Sequence, residues 1–117
     1  MDEIAYKIKN YVLEFFGNSA SAEDQDRRAR IMLFSDDLKG IAGDLGFYPT
    51  QKLWLKQDHV SDPASDTPTL VGHMSTNELG SVLNTLRYEK PIYVAWVEKL
   101  QQVSLRTYLE PVGEQEA

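Results

Sequence analysis

The stretch STNELGSVLNTLRYEKPIYVAWVEKLQQVSLRTYLE, residues 75–110, predicts more of the fold than any other part of the chain. Ser75 and Glu78 have the spacing of a capping box, in which each side chain accepts a hydrogen bond from the other residue's backbone amide. Apolar residues then recur at helical spacing until Pro91, which a helix cannot pass. We therefore predict a helix over residues 76–87. Its apolar stripe consists of Leu79, Val82, Leu83 and Leu86.

Two runs rich in β-branched and aromatic residues follow this helix, at 92–98 and 103–110. Such residues favour strands, and the link of four residues between the two runs is short and polar. The sequence therefore predicts an antiparallel hairpin at the C-terminal end of the fold.

The side-chain pattern selects a register for this hairpin, because a one-residue slip would turn every side chain to the opposite face. Closing Glu98 against Val103 pairs Trp96 with Leu105 and makes one face almost wholly apolar. The other, outer face is then a mixed surface of phenol rings, a guanidinium and small groups. Its predicted pairs are Tyr93 with Tyr108, Ala95 with Arg106, and Val97 with Ser104.

Two further helices are predicted upstream. Residues 2–16 carry an apolar stripe at helical spacing, opposite a polar side. Residues 22–45 carry a second such seam, with a break near residue 35 as an alternative. A strand at 30–34 is the competing interpretation, because an apolar run this short does not distinguish helix from strand.

The middle of the chain predicts less. Polar and apolar residues largely alternate over 52–57, which favours a half-buried strand. Thr50 could also cap a short helix there. Residues 61–68 form a loop with two prolines, and 69–71 predict a short strand.

We predict a two-layer α+β fold, in which helices pack on an antiparallel sheet of three or four strands that includes the hairpin. The chain of 117 residues has the length of one domain, which we place at 1–112. Residues 113–117 predict a flexible acidic tail.

The composition excludes several classes of protein. With 42% hydrophobic and 26% charged residues the chain is in the globular range, and its apolar runs are too short to span a bilayer. It has no cysteine, which excludes disulfides, thiolate metal sites and a cysteine nucleophile. The acidic start at Asp2 lacks a signal-peptide pattern, so we expect a cytoplasmic protein.

The net charge of −6 disfavours nucleic acid and anionic lipid as partners. Gly40, Gly43 and Gly46 match neither a dinucleotide fingerprint nor a phosphate loop, and we interpret them as a face for close helix packing. No nucleophile arrangement is present either. The function predicted best is therefore non-catalytic binding of another protein, by an adaptor, assembly factor or regulatory subunit without a cofactor.

Two sets of residues are candidates for that binding. Tyrosine and arginine are enriched in interface hot spots, so the outer hairpin face is a candidate interface. The helix at 76–87 also has a face unusually free of charge, which could pack on another part of the chain or on a partner, a homodimer included. The candidate binding residues are Tyr93, Arg106, Tyr108, Asn77, Ser81 and Asn84.

A winged-helix-like DNA-binding regulator is the first alternative, because a helix followed by a hairpin has the element order of such domains. Asn77, Ser81 and Asn84 would then read bases, and the phosphates would be held by Arg87, Lys90 and Lys99.

The second alternative is a small metal-dependent enzyme around His59 and His73, with ligands from Asp58, Asp62 or Asp66. The spacing of these residues matches no known metal motif.

Three arginines form the densest basic cluster of the chain. On a helix, Arg27 and Arg28 would pair with Glu23 and Asp24, which we prefer to a phosphate site that includes Arg30.

Overall fold

The computed structural model describes residues 4–17, 26–36 and 40–107, which form two β-sheets and one α-helix. The chain is mostly β. The strands are β1 (Ile4–Lys7), β2 (Asn10–Phe15), β3 (Ala29–Phe34), β4 (Ile41–Tyr48), β5 (His59–Ser61), β6 (Thr69–Ser75), β7 (Ile92–Val97) and β8 (Gln102–Thr107).

The larger sheet has five strands in the order β2-β3-β4-β6-β5, and the smaller has three in the order β1-β7-β8. Only β4 and β6 pair in parallel among the described strands. The chain changes sheets between β1 and β2, where Ile8 N donates to Ile92 O and Lys9 N donates to Phe34 O. Successive strands at the N-terminus therefore belong to different sheets.

The two sheets pack face to face, and glycines in the larger sheet permit the close approach. A Cβ added at Gly43 would lie 3.1 Å from Val94 Cγ2, and one added at Gly72 would lie 3.2 Å from Val103 Cβ. The core between the sheets is apolar. Its largest fully buried side chains are Phe47, Ile31, Leu33, Leu45, Leu70 and Val94.

The helix begins with a 3-10 turn, Thr76–Glu78, and continues as α1 (Leu79–Tyr88). Both halves of the capping box are present, and Ser75 N donates to Glu78 Oε1 at 3.3 Å. Val82 is buried in the core cluster. The capped helix thus lies where the sequence predicts one.

The predicted two-layer α+β class is wrong, because the regions expected to supply its other helices are strands. The described part of 2–16 holds β1 and β2 instead of a helix, and residues 2 and 3 lie outside the described residues. Ile4, Tyr6 and Ile8 alternate toward the core, whereas the predicted helical stripe would have included Val12, which is 45% exposed. β-Branched and aromatic residues suit a half-buried pleated surface, and packing against the second sheet selects that period here.

The predicted helix at 22–45 is also wrong over its described part, which holds β3 and β4. Residues 22–25 and 37–39 lie outside the described residues. In β3, Ala29, Ile31 and Leu33 point inward at a spacing of two, so the competing strand interpretation is correct. Gly43 and Gly46 lie in β4 and not on a helix face.

The hairpin is present, but its register differs from the predicted one by two residues. Val97 pairs with Gln102, Trp96 with Val103, and Tyr93 with Arg106. A tight turn sets this register: Gln101 has a φ of 54° and its N–H donates to Glu98 O. A two-residue shift leaves each side chain on the face predicted for it.

The strand predicted at 52–57 is wrong as well, since Thr50–Leu55 is a 3-10 helix. Trp54 on it is 81% exposed, so this segment has no buried face of the kind a strand here would need. The strand predicted at 69–71 is longer than expected and extends to Ser75 as β6.

Candidate functional site

The outer face of the three-stranded sheet brings together residues from three strands. Tyr93 on β7 pairs with Lys7 on β1 and with Arg106 on β8. The three side chains form one row across the sheet, in which neighbouring strands lie about 4.8 Å apart. Tyr108, the third predicted residue of this face, lies outside the described residues.

The two ends of this row are exposed and its centre is half-buried. Lys7 and Arg106 are exposed, and Tyr93 is intermediate. Arg106 Nε donates to Ser104 Oγ at 3.3 Å, so the guanidinium is oriented along its own strand. Ala95, the next outward residue of β7, is fully buried. Both cations of the Lys7–Tyr93–Arg106 row are therefore accessible at the surface, whereas the face is covered at Ala95.

A cleft of about 500 Å³ adjoins this row. It lies between the last turn of α1 and the link from β1 to β2, and its volume is in the range of ligand and peptide pockets. Apolar groups line most of it, and three lysines surround it. Its lining includes Lys7, Lys9, Lys90, Ile8, Tyr11, Leu86, Pro91 and Ile92.

We call this part of the molecule the basic end and define it by Lys7, Lys9, Arg87, Lys90 and Arg106. Arg87 belongs to it because it lies in the last turn of α1, next to Leu86 and Glu89 of the cleft lining.

Two carboxylates accompany these five cations among the described residues. Glu89 lines the cleft, and Asp36 Oδ1 lies 3.0 Å from Lys9 Nζ in an exposed ion pair. Among the described residues, the basic end therefore carries more positive than negative charge, whereas the whole chain has 12 basic and 18 acidic residues.

The uncharged helix face is exposed. Asn77 precedes α1, and Ser81 and Asn84 lie on it, all three in contact with solvent. Asn77 Nδ2 donates to Thr50 Oγ1 at 3.4 Å, which links the start of the helix to the preceding 3-10 helix. This face belongs to a different element from the Lys7–Tyr93–Arg106 row.

The structure places the two histidines that were proposed as metal ligands, His59 and His73, near each other beside Asp58. His73 Nδ1 lies 3.0 Å from Asp58 Oδ1, and both side chains are largely buried. The His59 ring centre is 6.3 Å from that of His73, while Asp62 and Asp66 are exposed on the loop that follows β5. Within the described ranges, no three His, Asp or Glu side chains are grouped as metal ligands.

Asp58 joins the two sheets through its carboxylate. Oδ1 accepts from His73 N at 2.9 Å, and Oδ2 accepts from Val103 N at 2.9 Å. In the sequence, Asp58 is recognisable only as a loop aspartate near His59 and His73. Its partners are 15 and 45 residues away, so no local pattern reveals this role.

Arg30 makes a bidentate contact with a carboxylate on the neighbouring strand β4. Its Nε and Nη2 donate to the two carboxylate oxygens of Asp44, each at 3.0 Å, and Glu14 lies 3.6 Å away. The hydrogen bonds that Arg30 donates to Asp44 raise the pKa of Arg30 above its ordinary value. Arg27 lies over the Phe16 ring at 4.8 Å. The predicted partners Glu23 and Asp24 lie outside the described residues.

The basic end cannot be recognised from a local pattern, because its residues come from β1, α1 and the hairpin. The helix predicted over residues 2–16 has Lys7 and Lys9 on its polar side. If residues 4–7 are predicted as a strand, and if that strand is paired with β7 in the observed register, Lys7 lies beside Tyr93.

No known protein family, curated protein or solved structure matches this chain. In the described part of the chain, no helix is long and apolar enough to cross a membrane. The class of the protein is therefore defined by its own fold and surface: a mostly β protein of two packed sheets with a locally basic end.

Proposed function

We propose that this protein is a non-catalytic binding module, an adaptor, assembly factor or regulatory subunit, that holds an acidic segment of another protein against its basic end. The observation that carries the proposal is the Lys7–Tyr93–Arg106 row, two exposed cations on either side of a half-buried phenol ring.

The chemistry of this row suits a protein partner. Tyrosine brings a large apolar ring with a polar end, and arginine can donate two parallel hydrogen bonds to one carboxylate. Lys7 and Arg106 lie two strand spacings apart, about 10 Å, so each can bind a different carboxylate of one acidic segment. The adjoining cleft offers apolar contact beside the charges. Charge and apolar area together favour an acidic peptide segment with apolar residues.

The helix face of Asn77, Ser81 and Asn84 supports the same function as a second contact. It is exposed and carries amides and a hydroxyl, which adapt to many hydrogen-bonding partners. The chain has no cysteine, which agrees with the reducing cytoplasm as the place of action.

A nucleic acid partner is less well supported. The winged-helix alternative has Arg87, Lys90 and Lys99 to hold the phosphates, which are few cations on a chain with a net charge of −6. Phosphate binding at the basic end alone remains an outcome that the experiment below distinguishes.

The test is affinity capture of the tagged protein from its native lysate, with and without nuclease, in three forms. These are the wild type, Arg106→Glu and Lys99→Glu. We expect a stoichiometric protein that survives nuclease, binds the wild type and Lys99→Glu equally, and is lost with Arg106→Glu. Lys99 is the matched control because it is exposed, undergoes the same charge change and lies at the opposite end of the hairpin.

Raising the salt concentration should weaken capture by the wild type, because the contact is electrostatic and exposed. Equal capture by all three forms would refute the basic end as the interface. Loss of every captured species on nuclease treatment would instead establish nucleic acid as the partner.

A further inference from the structure

The two described sheets present four edge strands, and they differ in how well they are protected against pairing with another chain. β1 has four residues and β5 has three, which is short for an intermolecular ladder. On β8, the Val103 N–H is already bonded to Asp58 Oδ2, and exposed Arg106 adds a charge near the other end of the strand. Within the described ranges, β2 is the remaining edge.

β2 has the features of an edge that pairs. It is six residues long and contains no proline or lysine, and its one charged residue, Glu14, has Arg30 as a neighbour at 3.6 Å. Two of its apolar side chains are exposed, Val12 at 45% and Phe15 at 69%. Natural edge strands are usually blunted by charge, proline or a bulge. β2 has no proline or bulge within Asn10–Phe15, and its one charged side chain, Glu14, lies beside the opposite charge of Arg30.

The ladder to β3 determines which backbone groups of β2 point outward. Phe16 N donates to Arg28 O, one step beyond the last strand pair, so the even-numbered residues of β2 exchange hydrogen bonds with β3. The N–H and C=O groups of Tyr11, Leu13 and Phe15 therefore point away from β3, toward the free edge.

We propose that β2 pairs antiparallel with β2 of a second copy of this chain about a two-fold axis at Val12, joining the five-stranded sheets of two molecules. Tyr11 then pairs with Leu13 of the partner subunit, and about four backbone hydrogen bonds form between these outward groups. Val12 faces its own equivalent across the axis. An isologous contact of this kind closes as a dimer.

The sequence of β2 favours this register over its neighbours. It places Val12 against valine and Tyr11 against leucine, and it sets Asn10 opposite a glutamate that can accept from its amide. Moving the axis to Leu13 would place Val12 against the glutamate. Moving it to Tyr11 would place Val12 against asparagine. Tyr11 and Leu13 are half-buried against the core, so their pairing would continue the core across the axis.

The test uses the absence of cysteine from the natural chain. Val12 pairs with itself without hydrogen bonds in this register, and such pairs have Cα atoms about 4.5 Å apart, within reach of a disulfide. Val12→Cys should therefore form a disulfide-linked dimer on mild oxidation in dilute solution. Phe15→Cys is the matched control, since it is more exposed but about 20 Å from its equivalent across the axis.

A second variant tests the interface without a crosslink. Val12→Lys places two ammonium groups against each other at the axis and should weaken dimerisation about tenfold or more by sedimentation, with an unchanged circular dichroism spectrum. The proposal is overturned if the wild type is monomeric at millimolar concentration, if Phe15→Cys crosslinks as readily as Val12→Cys, or if Val12→Lys dimerises like the wild type. These outcomes test β2 alone, whereas capture of a partner protein is tested separately by Arg106→Glu on the other sheet.

Discussion

The carboxylate of Asp58 is the acceptor for groups on two different sheets. Its oxygens accept from the backbone N–H groups of His73 on β6 and Val103 on β8, and the His73 ring lies against it at 3.0 Å. The side chain is 15% exposed, so water cannot readily replace it. A buried N–H left without an acceptor costs free energy, which makes this residue a structural bridge.

We predict that Asp58→Asn lowers the free energy of unfolding by about 1–3 kcal/mol, because an amide would turn a donor toward one of these N–H groups. Chemical denaturation measures the change. Asp66→Asn is the control, since Asp66 is exposed in the loop and should alter stability little. Equal effects of the two substitutions would show that the Asp58 bridge does not stabilise the fold.

Glu98 gives the hairpin a dependence on pH. The Trp96 indole N–H donates to its carboxylate, and this hydrogen bond lowers the pKa of Glu98 from its ordinary value of 4.5. The charged form is thus favoured in the folded state. Its contribution to stability is present above the unfolded pKa and is lost as the pH falls through the lower, folded pKa.

In a Trp54→Phe background, Trp96 is the one tryptophan, and its fluorescence reports this titration. We expect its emission to change with a midpoint below pH 4.5 and the change to disappear in Glu98→Gln. A midpoint at or above 4.5, or an identical titration in Glu98→Gln, would contradict the assignment.

At the level of elements, glycines have opposite roles in strands and in the helix. Gly72 in β6 faces the second sheet, where an added Cβ would lie 3.0 Å from Leu45 Cδ2 and 3.2 Å from Val103 Cβ. Gly80 in α1 is exposed, and no atom lies within 4 Å of a Cβ added there. The first glycine is required by packing, whereas the second only reduces helix propensity.

Gly72→Ala should therefore destabilise the protein by about 1–3 kcal/mol through overpacking. Gly80→Ala should stabilise it by about 0.5–1 kcal/mol, because alanine is the better helix former and restricts the unfolded chain. Thermal denaturation of the two variants should shift in opposite directions. Shifts of the same sign would mean that the sheets can separate to accept a methyl group.

For the whole molecule, the basic end and the β2 edge adjoin each other. The basic end lies where β1, α1 and the hairpin meet, and Asn10 and Tyr11 at the start of β2 also line its cleft. A dimer joined through β2 would carry two basic ends related by the two-fold axis. Such a dimer could bind two acidic segments of one partner and gain affinity from their linkage.

The capped helix and the hairpin could be predicted from sequence because both are local. A capping box and an i, i+3, i+4 stripe determine the helix within one segment of chain. Alternation on either side of a short polar link determines a hairpin and the face on which Tyr93 and Arg106 lie. The turn at Gln101 then decided the register, which shifted by two residues from the one that side-chain pairing favoured.

The secondary structure of the N-terminal half depends on tertiary packing. The apolar residues of 4–15 satisfy a helical stripe and a strand alternation about equally, and only the presence of a second sheet makes burial at a spacing of two the more favourable choice. The basic end and the Asp58 bridge likewise depend on register between strands far apart in the chain. The sequence alone determined those features whose stabilising contacts are local, whereas the sheet partners were decided by long-range packing, which a local pattern does not encode.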